Sequence, residues 1–165
     1  MSHFQIRLAT TSDLELISRH RARMFVDMGE LPQEMFDSFR AQSLDALRRM
    51  FVKGKYVGWL VSAQDEPDKI VAGAGLQLRE VPPHPQPDAN GKIEIVSGRQ
   101  AIIQNVYTER EWRRRGLAAL LTKRIIDWAR EQGIESLVLH ASDEGRAVYR
   151  RLGFIQTTDM RLRKG

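Results

Sequence analysis

Trp112-Arg113-Arg114-Arg115-Gly116-Leu117-Ala118 stands between an apolar strand pattern over residues 101–108 and an amphipathic helix pattern from Gly116 to about Gln132. A helix start carries N–H groups that no carbonyl of its own chain has claimed. Their dipoles add to a partial positive charge at that end. Gly116 removes the side chain where an anion must come close, and Ala118 is small for the same reason. Arg113, Arg114 and Arg115 precede the turn, and Arg110 lies just before them. Amides for hydrogen bonds and guanidinium groups for charge make a phosphate cradle. The pattern is not a P-loop, since no Gly-Lys-Ser/Thr follows. It is not the dinucleotide fingerprint either, since one glycine of three is present. A short basic run before a helix is, by itself, more often a solvated turn.

Outward from this junction the chain alternates. Downstream of the helix, Gly133 is a stop, and residues 136–141 read as a strand buried on both faces. A short helix over 143–152 ends at Gly153, and 154–162 reads as a last strand. Strand–helix–strand of this length implies a parallel pair with a right-handed crossover. Upstream, residues 6–9 alternate as a short strand. Ser12 with Glu15 forms a capping box that starts a helix at Asp13, with Leu14, Ile17, Met24, Phe25 and Met28 on its apolar face and Gly29 as its stop. A second helix runs over 32–52, with Pro32 at its first turn and Gly54 beyond its end. Residues 56–61 and 70–78 read as two strands joined by a turn at 65–69. Gly73 and Gly75 in the second of these suggest a bulge or a close neighbour. Residues 81–91, with four prolines, read as a stiff loop. The order βααβββαβαβ is an α/β (α+β) fold, a mixed central sheet with helices on both faces.

Composition narrows the function classes. The chain has 165 residues, the size of one domain, and residues 1–165 are read as one. It has no cysteine, which excludes a disulfide scaffold, a cysteine nucleophile and a zinc ribbon. No apolar run reaches the ~18 residues of a membrane span. The opening Met1-Ser2-His3-Phe4-Gln5-Ile6-Arg7 lacks a signal-peptide pattern, so a cytoplasmic, membrane-free protein is expected. The net charge of +5 permits a nucleic-acid partner without requiring one. An anionic small molecule uses the same charge.

A second motif follows the strand at 136–141: Ser142-Asp143-Glu144-Gly145-Arg146-Ala147-Val148-Tyr149-Arg150-Arg151-Leu152-Gly153-Phe154. With it the chain resembles the GNAT superfamily, the acyl-CoA-dependent N-acyltransferases. Their first motif, Arg/Gln-x-x-Gly-x-Gly/Ala at a strand-to-helix junction, matches Arg113, Gly116 and Ala118. Their second, Tyr-x-x-x-Gly-Phe with a polar residue seven positions earlier, matches Tyr149, Gly153, Phe154 and Ser142, where many members carry Asn.

The resemblance implies acetyl-CoA as co-substrate and transfer of its acetyl group to an amine by direct attack on the thioester. It implies that the strands at 101–108 and 136–141 splay apart to admit the coenzyme. Backbone groups of Val106, Tyr107 and Thr108 would pair with the pantetheine arm, and one N–H there would polarise the thioester carbonyl. Amides of Arg114, Arg115, Gly116, Leu117 and Ala118, with Arg113 beside them, would bind the diphosphate. Ser142 would contact the pantetheine arm, and Tyr149 would protonate the leaving thiolate. Its phenol, with a reference pKa near ~10, is protonated at neutral pH.

The base is not singled out. Glu109, Glu111, Glu80, Glu94, Asp27 and Glu30 are candidates, each also readable as a surface carboxylate, and water can relay the proton instead. His140 reads as a hydrogen-bonded core or wedge histidine. No metal site is expected. The acceptor is a small-molecule or peptide amine, its pocket shaped by the first two helices and the 81–91 segment. A homodimer is the prior for assembly. Two alternatives stand beside the enzyme: a silent acyl-CoA sensor, which would dispense with Tyr149, and a basic nucleic-acid module, which would spread its arginines over one face with exposed aromatics between them.

Overall fold

The computed structural model describes residues 3–165. Strand β1 (Phe4–Leu8) leads to helix α1 (Leu14–Asp27), then α2 (Phe36–Val52). Strands β2 (Tyr56–Ala63), β3 (Glu66–Pro87) and β4 (Ile93–Thr108) follow. Helix α3 (Leu117–Glu131), strand β5 (Ser136–Leu139) and helix α4 (Arg146–Arg151) complete the order. The sheet runs β1-β2-β3-β4-β5, antiparallel except for the last pair. The β4–α3–β5 crossover supplies that parallel pair, as the spacing predicts. No helix among the described residues is long and apolar enough to cross a membrane.

Strand β2 shows why the sheet needs a cover on each side. Its side chains alternate faces. Trp59, Val61 and Ala63 pack with Val71, Leu76, Leu117, Leu121 and Ile125, under α3. Tyr56 and Leu60 pack with Leu14, Ile17, Leu44 and Leu47, under α1 and α2. The mixed sheet with helices on both faces is therefore the fold that the hydrophobic pattern calls for. Within α1 the buried positions include His20 and Ser18 as well as Leu14, Ile17 and Ala22, so part of its inward face is polar.

Several boundaries differ from the sequence reading. Residues 81–91 are not a loop: β3 runs to Pro87 and pairs with β4 from Ile93, so the two strands project as a long ribbon with its turn at 88–92. Pro85 faces Ile95 and Pro87 faces Ile93, while Pro82 and Pro83 fall in a register shift between Val81 and His84. Proline is tolerated at bulges and at positions that owe no ladder N–H. The β2–β3 turn is tighter than expected, at Gln64-Asp65. The helix start is set two residues earlier than predicted: the Asp13 carboxylate accepts the Thr10 N–H at 2.8 Å, and a 3-10 turn over Thr11–Asp13 precedes α1. Residues 154–162 form no strand. Phe154 packs against the core, but Ile155, Met160 and Leu162 are exposed. Strand propensity expresses itself only against a partner and a covered face, and this segment has neither. Strand β5 is in consequence a four-residue edge, half-buried rather than covered on both faces, and His140 lies beyond its end, exposed.

Candidate active site

The site lies where β4 parts from β5. The two strands pair over Gln100–Ile103 and Ser136–Leu139 and no further. Strand β4 continues to Thr108, held on its other side by β3, with Thr108 opposite Ala72. Among the described residues, the edge of β4 from Gln104 to Thr108 thus has no strand neighbour on the β5 side. This is the splay that a coenzyme wedge requires.

A bulge shapes that edge. Between Gly73↔Tyr107 and Gly75↔Gln104, β3 advances two residues while β4 advances three. The extra residue is accommodated at Asn105, whose φ of 57° is left-handed and which is 4% exposed. Asparagine tolerates this conformation better than most side chains, and here its amide is held from both sides. Arg21 donates to Oδ1 at 2.7 Å, and Nδ2 donates to the Tyr56 hydroxyl at 3.0 Å. The Tyr56 ring fills the space over Gly75. Burial pushes the Tyr56 phenol up to about 12, so it stays protonated. Gly73 and Gly75 are therefore both a bulge and a close approach, the two meanings their presence in a strand suggested.

Beyond β4, a 3-10 turn over Arg110–Trp112 leads into the basic segment. Two residues there are left-handed, Arg114 at φ 62° and Gly116 at φ 78°. Among the described residues, the N–H groups of Arg114, Arg115, Gly116, Leu117 and Ala118 have no backbone acceptor; the first helical bond here runs from Leu120 N–H to the Gly116 carbonyl. A Cβ on Gly116 would meet nothing within 4 Å, so the space before these amides is open. Consecutive unclaimed amides at the positive end of a 15-residue helix fit a diphosphate.

The arginine side chains are less free than the sequence suggests. Arg113 donates to the Thr108 carbonyl at 3.0 Å and, with Arg110, to the Asp27 carboxylate. Burial favours protonation of Asp27, but those two guanidinium bonds outweigh it and hold the carboxyl below its usual range. Arg113 also lies over the Tyr107 ring at 5.6 Å, and Arg115 over Trp112 at 4.5 Å. Arg113 and Arg110 thus tie the turn to the end of α1, and the fixed backbone amides are the donors that the turn itself orients.

Tyr149 is on α4, 9% exposed, edge-to-face with Phe154 at 6.0 Å. Burial raises its phenol above the ordinary value. Its hydroxyl has no hydrogen-bond partner among the described residues. It is also absent from the sealed, unpartnered polar atoms, which are the Trp59 and Trp112 indole nitrogens. It therefore touches solvent. Ser142 Oγ accepts the Gly145 N–H at 3.1 Å, fixing the turn before α4. That bond uses a lone pair and leaves the hydroxyl proton to donate elsewhere. His140 makes no part of this arrangement.

Of the candidate carboxylates, Glu109 and Asp27 have largely enclosed side chains, 19% and 17% exposed, and Glu109 lies directly beyond β4. It accepts from Arg23 at 3.1 Å and lies 3.2 Å from His20 Nε2. Burial lowers the His20 pKa despite the facing carboxylate, so the imidazole is neutral at pH 7. Asp27 is committed to Arg110 and Arg113. Glu80 and Glu94 stand on the ribbon strands. Sequence reasoning missed His20, Arg21, Asn105 and Tyr56 as members of this region. Their signal was weak: polar residues inside helix and strand patterns otherwise read as apolar. Among the described residues no group of acids and histidines could hold a metal ion.

The whole-chain comparisons agree with this geometry. A GCN5-related N-acetyltransferase from Ralstonia eutropha JMP134 superposes with a TM-score of 0.85 at 30% identity, covering 98% of this chain and 99% of that one. A predicted acetyltransferase with acetyl-CoA from Clostridium acetobutylicum gives 0.75 at 27% identity, covering 99% and 96%. An aminoglycoside N-acetyltransferase in complex with CoA, at 18% identity and a TM-score of 0.66 over 100% and 96%, shares the fold. No functionally curated protein matches the chain. The model of the acetyltransferase (GNAT) family matches residues 21–154, a span that holds the bulged strand, the amide cradle and the tyrosine, and the chain belongs to that family.

Proposed function

We propose that the chain, acting as one catalytic domain in the cytoplasm, transfers the acetyl group of acetyl-CoA to an amine by direct attack on the thioester. The observation that carries this is the run of unclaimed amides from Arg114 to Ala118, opening onto free space at a left-handed glycine where β4 leaves β5. In this reading those amides bind the diphosphate, with Arg113 bracing the turn. The unpaired edge of β4 at Val106, Tyr107 and Thr108 pairs with the pantetheine arm, and Ser142 donates its remaining proton to it. Acetyl-CoA supplies the electrophilic carbonyl. A β4 N–H at the bulge stabilises negative charge on its oxygen, the kind of donor whose removal costs roughly 10²–10³ in rate. Tyr149, kept protonated by burial and open to solvent at its oxygen, gives its proton to the departing thiolate. The acceptor amine loses its proton to water, since Glu109 and Asp27 are held by arginines.

Isothermal titration with acetyl-CoA tests this. The expected result is saturable binding that Gly116→Glu abolishes. A side chain at φ 78° is strained, and its carboxylate would take the place of the diphosphate at the helix start. No heat of binding for the unaltered protein would overturn the assignment.

A further inference from the structure

Arg21 is the unusual cation of this protein. Arg23, Arg110 and Arg113, its neighbours around the site, each face a carboxylate. Among the described residues Arg21 faces none. Its one acceptor among them is Asn105 Oδ1, at 2.7 Å, a neutral amide oxygen that takes one of five guanidinium N–H groups. The guanidinium lies 5.0 Å from the Phe25 ring on α1 and 5.8 Å from the Phe39 ring on α2, and those rings meet edge-to-face at 5.4 Å. Burial lowers its pKa, and the opposing influence comes from the Tyr56 hydroxyl rather than from any acid. A desolvated charge without a counter-charge is costly, and breaking a buried pair typically costs several kcal/mol for that reason. Such a cation is stable in a half-buried position when a ligand supplies the anion.

Its location says which ligand. Asn105 is the bulge of β4, the point where, in the function proposed above, the thioester meets the amine. Arg21 therefore stands beside the acceptor. We propose that Arg21 receives a carboxylate on the acceptor, so that the amines acetylated are amino-acid-like, with amine and carboxylate on one small molecule. This rests on the acetyltransferase reading. Charge matching favours a carboxylate over a phosphate. One guanidinium with no second cation acting on it answers a single negative charge, in the bidentate geometry of an arginine fork. The Phe25 and Phe39 rings give the acceptor an apolar wall beside that fork.

The test pairs each common amino acid, with β-alanine, against its carboxamide, and adds phosphoethanolamine, reading thiol release from acetyl-CoA. The expected result is a set of acids used at higher kcat/KM than their amides by roughly 10- to 100-fold, the range of a charge-assisted hydrogen bond. Arg21→Gln should collapse the acid-to-amide ratio toward one, and Arg21→Lys should restore part of it. Equal use of acids and amides, preference for phosphoethanolamine, or no turnover of any acid would overturn the proposal. So would an Arg21→Gln variant that loses acid and amide activity in equal measure, because that marks a purely structural tie to Asn105. Absence of acetyl-CoA binding in titration would strike the underlying reading instead, so the two failures are distinguishable.

Discussion

A methyl group on Gly75 would run into the Tyr56 hydroxyl and ring, and Tyr56 is 3% exposed with nowhere to go. Overpacking of this kind costs about 1–3 kcal/mol. Gly75→Ala should therefore lower the free energy of unfolding by an amount in that range, read as a lower denaturant midpoint at unchanged slope, and an unchanged midpoint would mean that Tyr56 does not sit over the strand. The same Tyr56 holds Asn105, so the glycine, the tyrosine and the bulge are one device spread over three strands. The glycine was legible in the sequence as a close approach. Its partners were not, because nothing local in Tyr56 or Asn105 says that they meet. At Tyr149 the shape of the side chain and its hydroxyl can be separated. Phenylalanine keeps the contact to Phe154 and removes only the donor. Tyr149→Phe should lower kcat by at least ~10²-fold, the low end of general acid catalysis, while acetyl-CoA affinity measured by titration stays within a factor of about three. Unchanged turnover would clear the phenol of the acid role.

Among the elements, the ribbon formed by the far halves of β3 and β4 is the part that the sequence reading misjudged most. Prolines at 82, 83, 85 and 87 carry the ordinary sense of a loop, and only the cross-strand register reveals that they stand where no ladder N–H is required. The strand expected at 154–162 failed for the opposite reason. Its residues have adequate propensity, but no neighbouring strand lies alongside, and sequence alone does not disclose a missing partner. What was legible was whatever depends on local chemistry: the glycine stops at Gly29, Gly54 and Gly133, all left-handed in the structure, and the left-handed Gly116 before α3. The ribbon also carries a prediction. Ile93 and Ile95 are 62% and 80% exposed, whereas Ala101 and Ile103 at the other end of β4 are buried. Local opening is easiest where few apolar contacts resist it. Amide hydrogen exchange should be faster by orders of magnitude over residues 84–96 than over 71–76 and 101–107. Uniform protection along both strands would show that the ribbon is covered in solution.

Across the whole molecule, the layer of α1 is joined to the sheet by polar as well as apolar contacts. His20 and Arg23 meet Glu109, Arg21 meets Asn105, and Asp27 meets Arg110 and Arg113. Such a seam responds to pH. His20 is 2% exposed, and burial, opposed by Glu109, pushes its pKa down to about 4 from 6.5. In the folded protein it is neutral through most of the acid range, whereas in the unfolded chain it binds a proton below 6.5. The unfolded state thus takes up more protons as pH falls from 6.5 to about 4, and folding free energy is lost over that window, by up to about 3 kcal/mol at its lower end. A second loss follows lower down. Asp13, held at about 2 by Arg7, stabilises the fold above 3.8 and ceases to do so as pH drops through its folded value. Urea melts at half-unit steps from pH 7.5 to 4 should show a midpoint that is level above 6.5 and declines steadily below it. His20→Gln removes the titrating ring, so its midpoint, whatever its value at pH 7, should stay level across the same window. A decline of equal slope in that variant would assign the pH response to the carboxylates and leave His20 as a ring packed against Tyr107, 4.8 Å between centroids.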